Sequence, residues 1–208
     1  MERTLYFVRH GETDWNAEGR IQGRNESESQ LTARGEAQAE VNARTVAELG
    51  VDAIVASPLL RTRQTAAFVA AATGLQPAFD ERLAEWDAGA WSGWLYTEVR
   101  EKWPEGFAAW RADMWNVRSP DGENFVDLID RGRPAIEAIL ARDDARVAIV
   151  SHGFIGRVLI GDLLGLEREE ILRMRPANDT FYRLRRRDGA WRVDRFEQGK
   201  GPLDGLFA

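Results

Sequence analysis

Three short apolar runs stand out along the chain: Thr4-Leu5-Tyr6-Phe7-Val8, Ala53-Ile54-Val55-Ala56 and Val147-Ala148-Ile149-Val150. They are β-branched or aromatic and almost uncharged, the pattern of strands buried on both faces of a mainly parallel sheet. Helical signals alternate with them. Thr32 caps a predicted helix that ends near Gly50, after a Gly11 to Gln30 loop. Ser57-Pro58 opens a second helix that runs to Gly74. Phe125, Leu128, Ile129, Ile136, Ile139 and Leu140 trace an apolar helical face in which Gly132 and Pro134 predict a kink or break. A further helix is expected from Phe154 to Leu164. Thr180 to Leu184 and Trp191 to Phe196 read as later, more polar strands, and residues 199–208 as a candidate mobile tail. This alternation predicts an α/β fold.

At 208 residues the chain suits a single domain, 1–208, and contains no internal repeat. The absence of cysteine excludes disulfides, thiol nucleophiles and thiolate metal sites. A formal charge of −6 gives no general attraction for nucleic acid, so any anion site must be a local concentration of arginine. The densest basic stretch, Arg183, Arg185, Arg186 and Arg187, reads as a solvated sheet edge protected by charge. No apolar run approaches membrane-spanning length and no charged-then-apolar leader opens the chain, so a soluble cytoplasmic protein is expected. Six of the eight tryptophans fall between Trp86 and Trp115. Most read as packing residues, with Trp86 and Trp91 as pocket candidates.

Both histidines of the chain lie at junctions between an apolar run and a glycine, Arg9-His10-Gly11 and Ser151-His152-Gly153. Ligands of open α/β sheets bind beyond the carboxyl ends of the strands, so the pair predicts one site built from two strand ends. Gly11 and Gly153 then permit sharp turns or close backbone approach by a ligand. Around these triplets, five blocks occur in order. They are Arg9-His10-Gly11-Glu12-Thr13 with Trp15-Asn16 and Gln22-Gly23; Leu31-Thr32 with Gly35 and Gln38-Ala39; Ser57-Pro58-Leu59 with Arg61-Thr62 and Gln64-Thr65-Ala66; Leu83 with Glu85, Gly89 and Gly93; and Ser151-His152-Gly153. Together they resemble the signature of the histidine phosphatase superfamily, also called the phosphoglycerate mutase-like family, from about residue 4 to residue 184.

The resemblance implies a three-layer α/β/α sandwich around a mainly parallel sheet. It places a phosphorylated nucleophile at His10, phosphate-binding guanidiniums at Arg9 and Arg61, a second imidazole at His152 and the proton donor at Glu85, with Asp87 as a competing acid. Asn16, Gln22, Gly23 and Gly153 complete the implied substrate contacts. Guanidinium forks match phosphate oxygens and stay charged, so an arginine and histidine cradle replaces a metal, and neither metal nor cofactor is expected. The implied activity is that of a histidine acid phosphatase-type phosphoric monoester hydrolase acting on a small phosphate ester. A phosphoglycerate mutase with the same chemistry and a protein that only binds a phosphorylated partner are the alternatives. The interval from Glu85 to His152 is short for the insertion that mutases carry. Oligomeric state is left open. Three departures bear on substrate contacts: the acidic loop Asn25 to Gln30 stands where an aspartate-bearing run is usual, Ser92 where a glutamate is common, and Asn124 replaces serine in a Gly-Glu-Ser block.

Overall fold

The computed structural model describes residues 2–24 and 29–207, so Asn25, Glu26, Ser27 and Glu28 of the acidic loop lie outside the described residues, as do Met1 and Ala208. The first apolar run is β1 (Arg3–Arg9), followed by α1 (Asp14–Glu18) and α2 (Ala33–Leu49). Next come β2 (Ala53–Ala56), α3 (Leu60–Thr73) and β3 (Pro77–Phe79), then α4 (Tyr96–Lys102), α5 (Pro104–Ala112) and α6 (Phe125–Leu140). The chain continues through β4 (Arg146–Ser151), α7 (Gly153–Leu164) and α8 (Arg168–Arg173) to β5 (Thr180–Arg187), β6 (Ala190–Glu197) and β7 (Lys200–Asp204).

The strands form one sheet in the order β3-β2-β4-β1-β5-β6-β7. β3, β2, β4 and β1 pair in parallel, and β5, β6 and β7 extend the sheet by antiparallel pairing. The central strands are apolar on both faces because both faces carry helices. Leu5, Phe7, Val55, Val147 and Ile149 pack with Leu128 and Ile136 of α6 and Ile155 and Leu159 of α7. Their sequence neighbours Tyr6, Val8, Ile54, Ala148 and Val150 pack on the other face with Ala43 and Val46 of α2 and Ala66 and Val69 of α3. The period of two along each strand thus divides the core into two halves and yields the predicted three-layer sandwich.

Local chemistry explains where prediction and structure part. The expected Gly11 to Gln30 loop contains α1, closed by a reciprocal cap in which Asn16 N donates to Thr13 Oγ1 and Thr13 N donates to Asn16 Oδ1, each at 3.2 Å. A five-residue helix is too short to impose a period on the sequence. The predicted break in α6 does not occur, because the helix is continuous through Gly132 and Pro134. A Cβ on Gly132 would lie 2.8 Å from Leu159 Cδ2 and 2.9 Å from Ile155 Cδ1, so the glycine serves the close packing of α6 on α7.

The arginine-rich segment is not a sheet edge. β5 lies between β1 and β6, and Arg183 and Arg185 both donate to Asp194 of β6 at 2.9 Å. Within the span read as a mobile tail, β7 pairs with β6 from Asp204 opposite Asp194 to Lys200 opposite Glu197. The tryptophans mainly pack. Trp110 stacks on Trp86 at 5.2 Å between ring centroids and meets Trp91 edge-on at 5.6 Å, joining α5 to the loop that carries Glu85.

Candidate active site

Parallel pairing of β1 with β4 sets Arg9 opposite Ser151, which brings the two histidines that follow to the same end of the sheet. Their ring centroids are 5.3 Å apart, and both side chains are buried. A cavity of about 390 Å³ opens there. Of the predicted site residues it is lined by Arg9, His10, Asn16, Gln22, Gly23, Arg61, Glu85 and Gly153. His152 stands behind that lining. Of the two pocket candidates among the tryptophans only Trp86 lines the cavity, and Trp91 is fully buried in the core.

The hydrogen bond of the His10 ring fixes its tautomer. His10 Nδ1 lies 2.8 Å from the carbonyl oxygen of Gly11, which can only accept, so Nδ1 carries the proton and Nε2 holds the lone pair. His152 Nε2 lies 2.8 Å from Ser57 Oγ, which itself accepts from Leu59 N at 3.4 Å. His152 Nδ1 is buried and has no hydrogen-bond partner among the described residues. Burial, with the Arg61 guanidinium second, pushes the pKa of each well below the ordinary histidine value. Both are neutral at physiological pH.

That neutrality has a consequence for stability. In the unfolded chain both histidines take up protons near pH 6.5, whereas in the fold they resist doing so, so the unfolded state binds more protons in acid and stability falls as pH falls. Each contributes up to about 1.4 kcal/mol per pH unit below that point. Urea midpoints in phosphate-free buffer should fall steadily between about pH 7 and 5.5, above the range of ordinary carboxylates. A flat profile over that interval would show that the rings protonate freely in the fold.

The guanidiniums are held by main-chain carbonyls. Arg9 Nη1 donates to Pro176 O at 2.5 Å, and Arg61, the second residue of α3, donates from Nη2 to Gly23 O at 2.7 Å. Burial lowers the pKa of both, that of Arg61 to about 10, which leaves each charged at neutral pH. Gly23 thus positions Arg61 through its carbonyl. Gln22 is buried, and its backbone oxygen accepts from Ser92 Oγ at 3.0 Å, which gives the departure at Ser92 a structural task. Asn16 Oδ1 belongs to the α1 cap and also accepts from Asn178 Nδ2 at 3.4 Å.

Glu85 closes the cavity from the loop before α4. Its Oε1 accepts from Trp86 N at 2.9 Å, Ile155 N at 3.1 Å and Phe154 N at 3.2 Å, while Oε2 shares only the Phe154 amide. The carboxyl group therefore caps the start of α7 through both oxygens, and Oε2 carries the fewer bonds. Asp87 is placed elsewhere: its Oδ1 accepts from Gly89 N at 2.9 Å, and it does not line the cavity. Asn124, the third departure, caps α6 through Asp127 N at 2.9 Å, a task that a serine performs equally.

The two junction glycines differ in their surroundings. A Cβ on Gly11 would sit 2.1 Å from Gly35 O, and one on Gly35 would sit 1.9 Å from Glu12 O, so the catalytic loop and the start of α2 touch backbone to backbone. Gly153 has room, its nearest neighbour being Arg9 Cζ at 3.4 Å, and neither Gly11 nor Gly153 has a positive φ. Sequence reasoning missed several residues. Asn178 Nδ2 donates to His10 O at 2.9 Å, and Tyr96, Arg157 and Arg175 line the cavity. Arg157 had a signal, a lone charge inside Phe154-Ile155-Gly156-Arg157-Val158-Leu159-Ile160. Asn178 had none. Among the described residues, no three histidine, aspartate or glutamate side chains converge to hold a metal ion, and no helix is long and apolar enough to cross a membrane.

The model of the histidine phosphatase superfamily (branch 1) matches residues 5–199. A Citrobacter koseri protein named "Probable phosphoglycerate mutase GpmB" is 39% identical over 191 residues, which cover 90% of this chain and 86% of that protein. Among solved structures, a mycobacterial glucosyl-3-phosphoglycerate phosphatase in complex with VO3 superposes with a TM-score of 0.83 at 30% identity, covering 92% of this chain and 97% of its own. An alpha-ribazole phosphatase from Shigella flexneri shares the fold, with a TM-score of 0.85 at 23% identity over 99% of this chain and 100% of its own. With its two strand-end histidines and paired guanidiniums, and with a match that runs nearly from end to end, the chain belongs to the histidine phosphatase superfamily and is an enzyme of the phosphatase or mutase kind.

Proposed function

We propose that the protein is a metal-independent phosphatase that hydrolyses a small phosphate monoester through a phosphohistidine at His10. The observation that carries this reading is the bond from His10 Nδ1 to Gly11 O, which leaves Nε2 as a neutral nucleophile in a cavity shared with Arg9 and Arg61. In the first step the Nε2 lone pair attacks phosphorus and the bond to the ester oxygen breaks. Glu85 delivers a proton to the departing alcohol. In the second step water attacks the phosphohistidine, Glu85 takes its proton, and the N–P bond breaks to release inorganic phosphate. Arg9, Arg61 and His152 receive the charge that spreads over the non-bridging oxygens, the task that a metal performs in other phosphoryl-transfer sites.

Rapid alkaline quenching during turnover of nitrophenyl phosphate, followed by peptide mass spectrometry, should place the phosphoryl group on His10. Label on Ser151 or Thr13 would overturn the assignment. The name of the Citrobacter relative favours a mutase as the second reading. Against it stands the short segment between Glu85 and His152. Incubation with phosphoglycerate separates the two: release of inorganic phosphate supports hydrolysis, and isomer formation without release supports the mutase.

A further inference from the structure

The segment that carries Glu85 has no regular structure to hold it, since residues 84–88 belong to neither helix nor strand. Its position is set by side chains instead. Arg131 of α6 contributes most of the bonds. Nη1 donates to Arg82 O at 2.8 Å and to Ala84 O at 3.0 Å, and Nη2 donates to Glu85 O at 3.2 Å. Glu123 holds the same fork from the other side, accepting from Nε at 2.9 Å through Oε1 and from Nη2 at 3.0 Å through Oε2. Each of the five N–H groups that a guanidinium offers is thus engaged, either by this segment or by Glu123.

Glu123, directly before the α6 cap Asn124, grips the residues that follow Glu85. Its Oε2 also accepts from Asp87 N at 3.0 Å, its main-chain N donates to Asp87 O at 2.9 Å, and its main-chain O accepts from Trp86 Nε1 at 2.5 Å. A Cβ on Gly122 would lie 2.4 Å from Asp87 O, so the two segments touch backbone to backbone. Arg24, next to the Gly23 that anchors Arg61, donates from Nε to Glu85 O at 3.3 Å and from Nη2 to Glu123 Oε1 at 3.4 Å. Burial alone would raise the Glu123 pKa, but the bonds and charge of Arg131 hold it below the ordinary carboxylate value, so the pair is ionic at neutral pH. Both side chains of the pair are 17% exposed, and neither residue lines the cavity. The desolvation of such a pair offsets much of its attraction, so its net gift to stability is small. What it supplies is geometry. A catalytic group displaced by about 1 Å can lose on the order of 10²-fold in rate.

We propose that Arg131 and Glu123 are positioning residues for the proton donor: together they fix the main chain of Glu85 against α6, so that its carboxyl group, seated on the first amides of α7, meets the leaving oxygen. The inference rests on the phosphatase reading, in which Glu85 delivers that proton.

Leaving-group dependence in single turnovers tests it. Arg131→Met should slow phosphoryl transfer from an alkyl phosphate by on the order of 10- to 100-fold, the scale of a misplaced catalytic group. Nitrophenyl phosphate, whose leaving group departs without a proton, should slow much less. Inorganic phosphate should bind as in the wild type, because Arg9 and Arg61 keep their carbonyl anchors. Arg131→Lys retains the charge without the fork and should recover part of the loss. In a Glu85→Gln background Arg131→Met should add little, because both changes act through the same proton. Glu123→Gln keeps one acceptor oxygen and loses the charge; it should repeat the pattern more weakly, and it decides the case if Arg131→Met fails to fold. Equal slowing of the two esters, or losses that multiply in the double variant, would overturn the inference alone and leave the pair a structural role. If Glu85→Gln itself shows no leaving-group dependence, the proton-donor assignment falls and the inference falls with it.

Discussion

Replacing His10 with alanine is expected to lower kcat/KM for every phosphate ester by on the order of 10⁴-fold or more, with the protein still folded. The reasoning starts from the division of labour among the groups in the cavity. In the proposed mechanism Arg9, Arg61 and His152 stabilise charge on the phosphoryl oxygens, and among the described residues that line the cavity no side chain other than His10 offers a neutral, lone-pair-bearing ring nitrogen. Without it the only route is direct attack by water, for which the site has no positioned nucleophile. Binding should persist, because both guanidiniums remain anchored by Pro176 O and Gly23 O. Isothermal titration with inorganic phosphate, beside steady-state assays, reads the two effects separately. Retention of more than a few per cent of the activity by a variant that still binds phosphate would remove His10 from the nucleophilic role.

Glu85→Gln should have a smaller effect that depends on the leaving group. Glutamine keeps the shape and leaves an oxygen that can accept from Trp86 N, Phe154 N and Ile155 N, so the start of α7 stays capped. The exchangeable proton is lost. An alkyl phosphate, whose alkoxide leaves poorly, should slow by a factor on the order of 10²–10⁴. Nitrophenyl phosphate departs readily without a proton and should lose much less in the phosphoryl-transfer step. Single-turnover measurement is required, because Glu85 also assists the later attack of water and lowers steady-state rates for both esters. Equal losses for the two in a single turnover would take Glu85 out of the proton transfer. Asp87 would not inherit the role, since its carboxylate is bound to Gly89 N and away from the cavity.

How much of this was readable from the chain varies with the physics behind each feature. The buried parallel strands declare themselves because helices on both faces demand apolar residues at every position, and the two strand-end histidines follow from them. The break expected in α6 failed because Gly132 reflects a contact with Leu159 and Ile155, residues that no local window contains. The arginines of β5 were misplaced for a similar reason. Their counter-charge, Asp194, is on the next strand, and burial of the strand depends on β6 and β7 pairing beyond it. At the site, the eight predicted residues that line the cavity all lie in the ordered blocks. The supports do not: Asn178 reaches His10 O from 168 positions away, with no composition or spacing to mark it.

The cap that Glu85 places on α7 bears on what happens after the chemistry. The first amides of a helix are a ready seat for phosphate, and an enzyme that used them would grip its inorganic product as firmly as its substrate. Here the Phe154 and Ile155 amides are filled by the protein's own carboxylate before any ligand arrives. In the proposed mechanism the departing phosphate is therefore held by arginine and imidazole and owes nothing to these two amides.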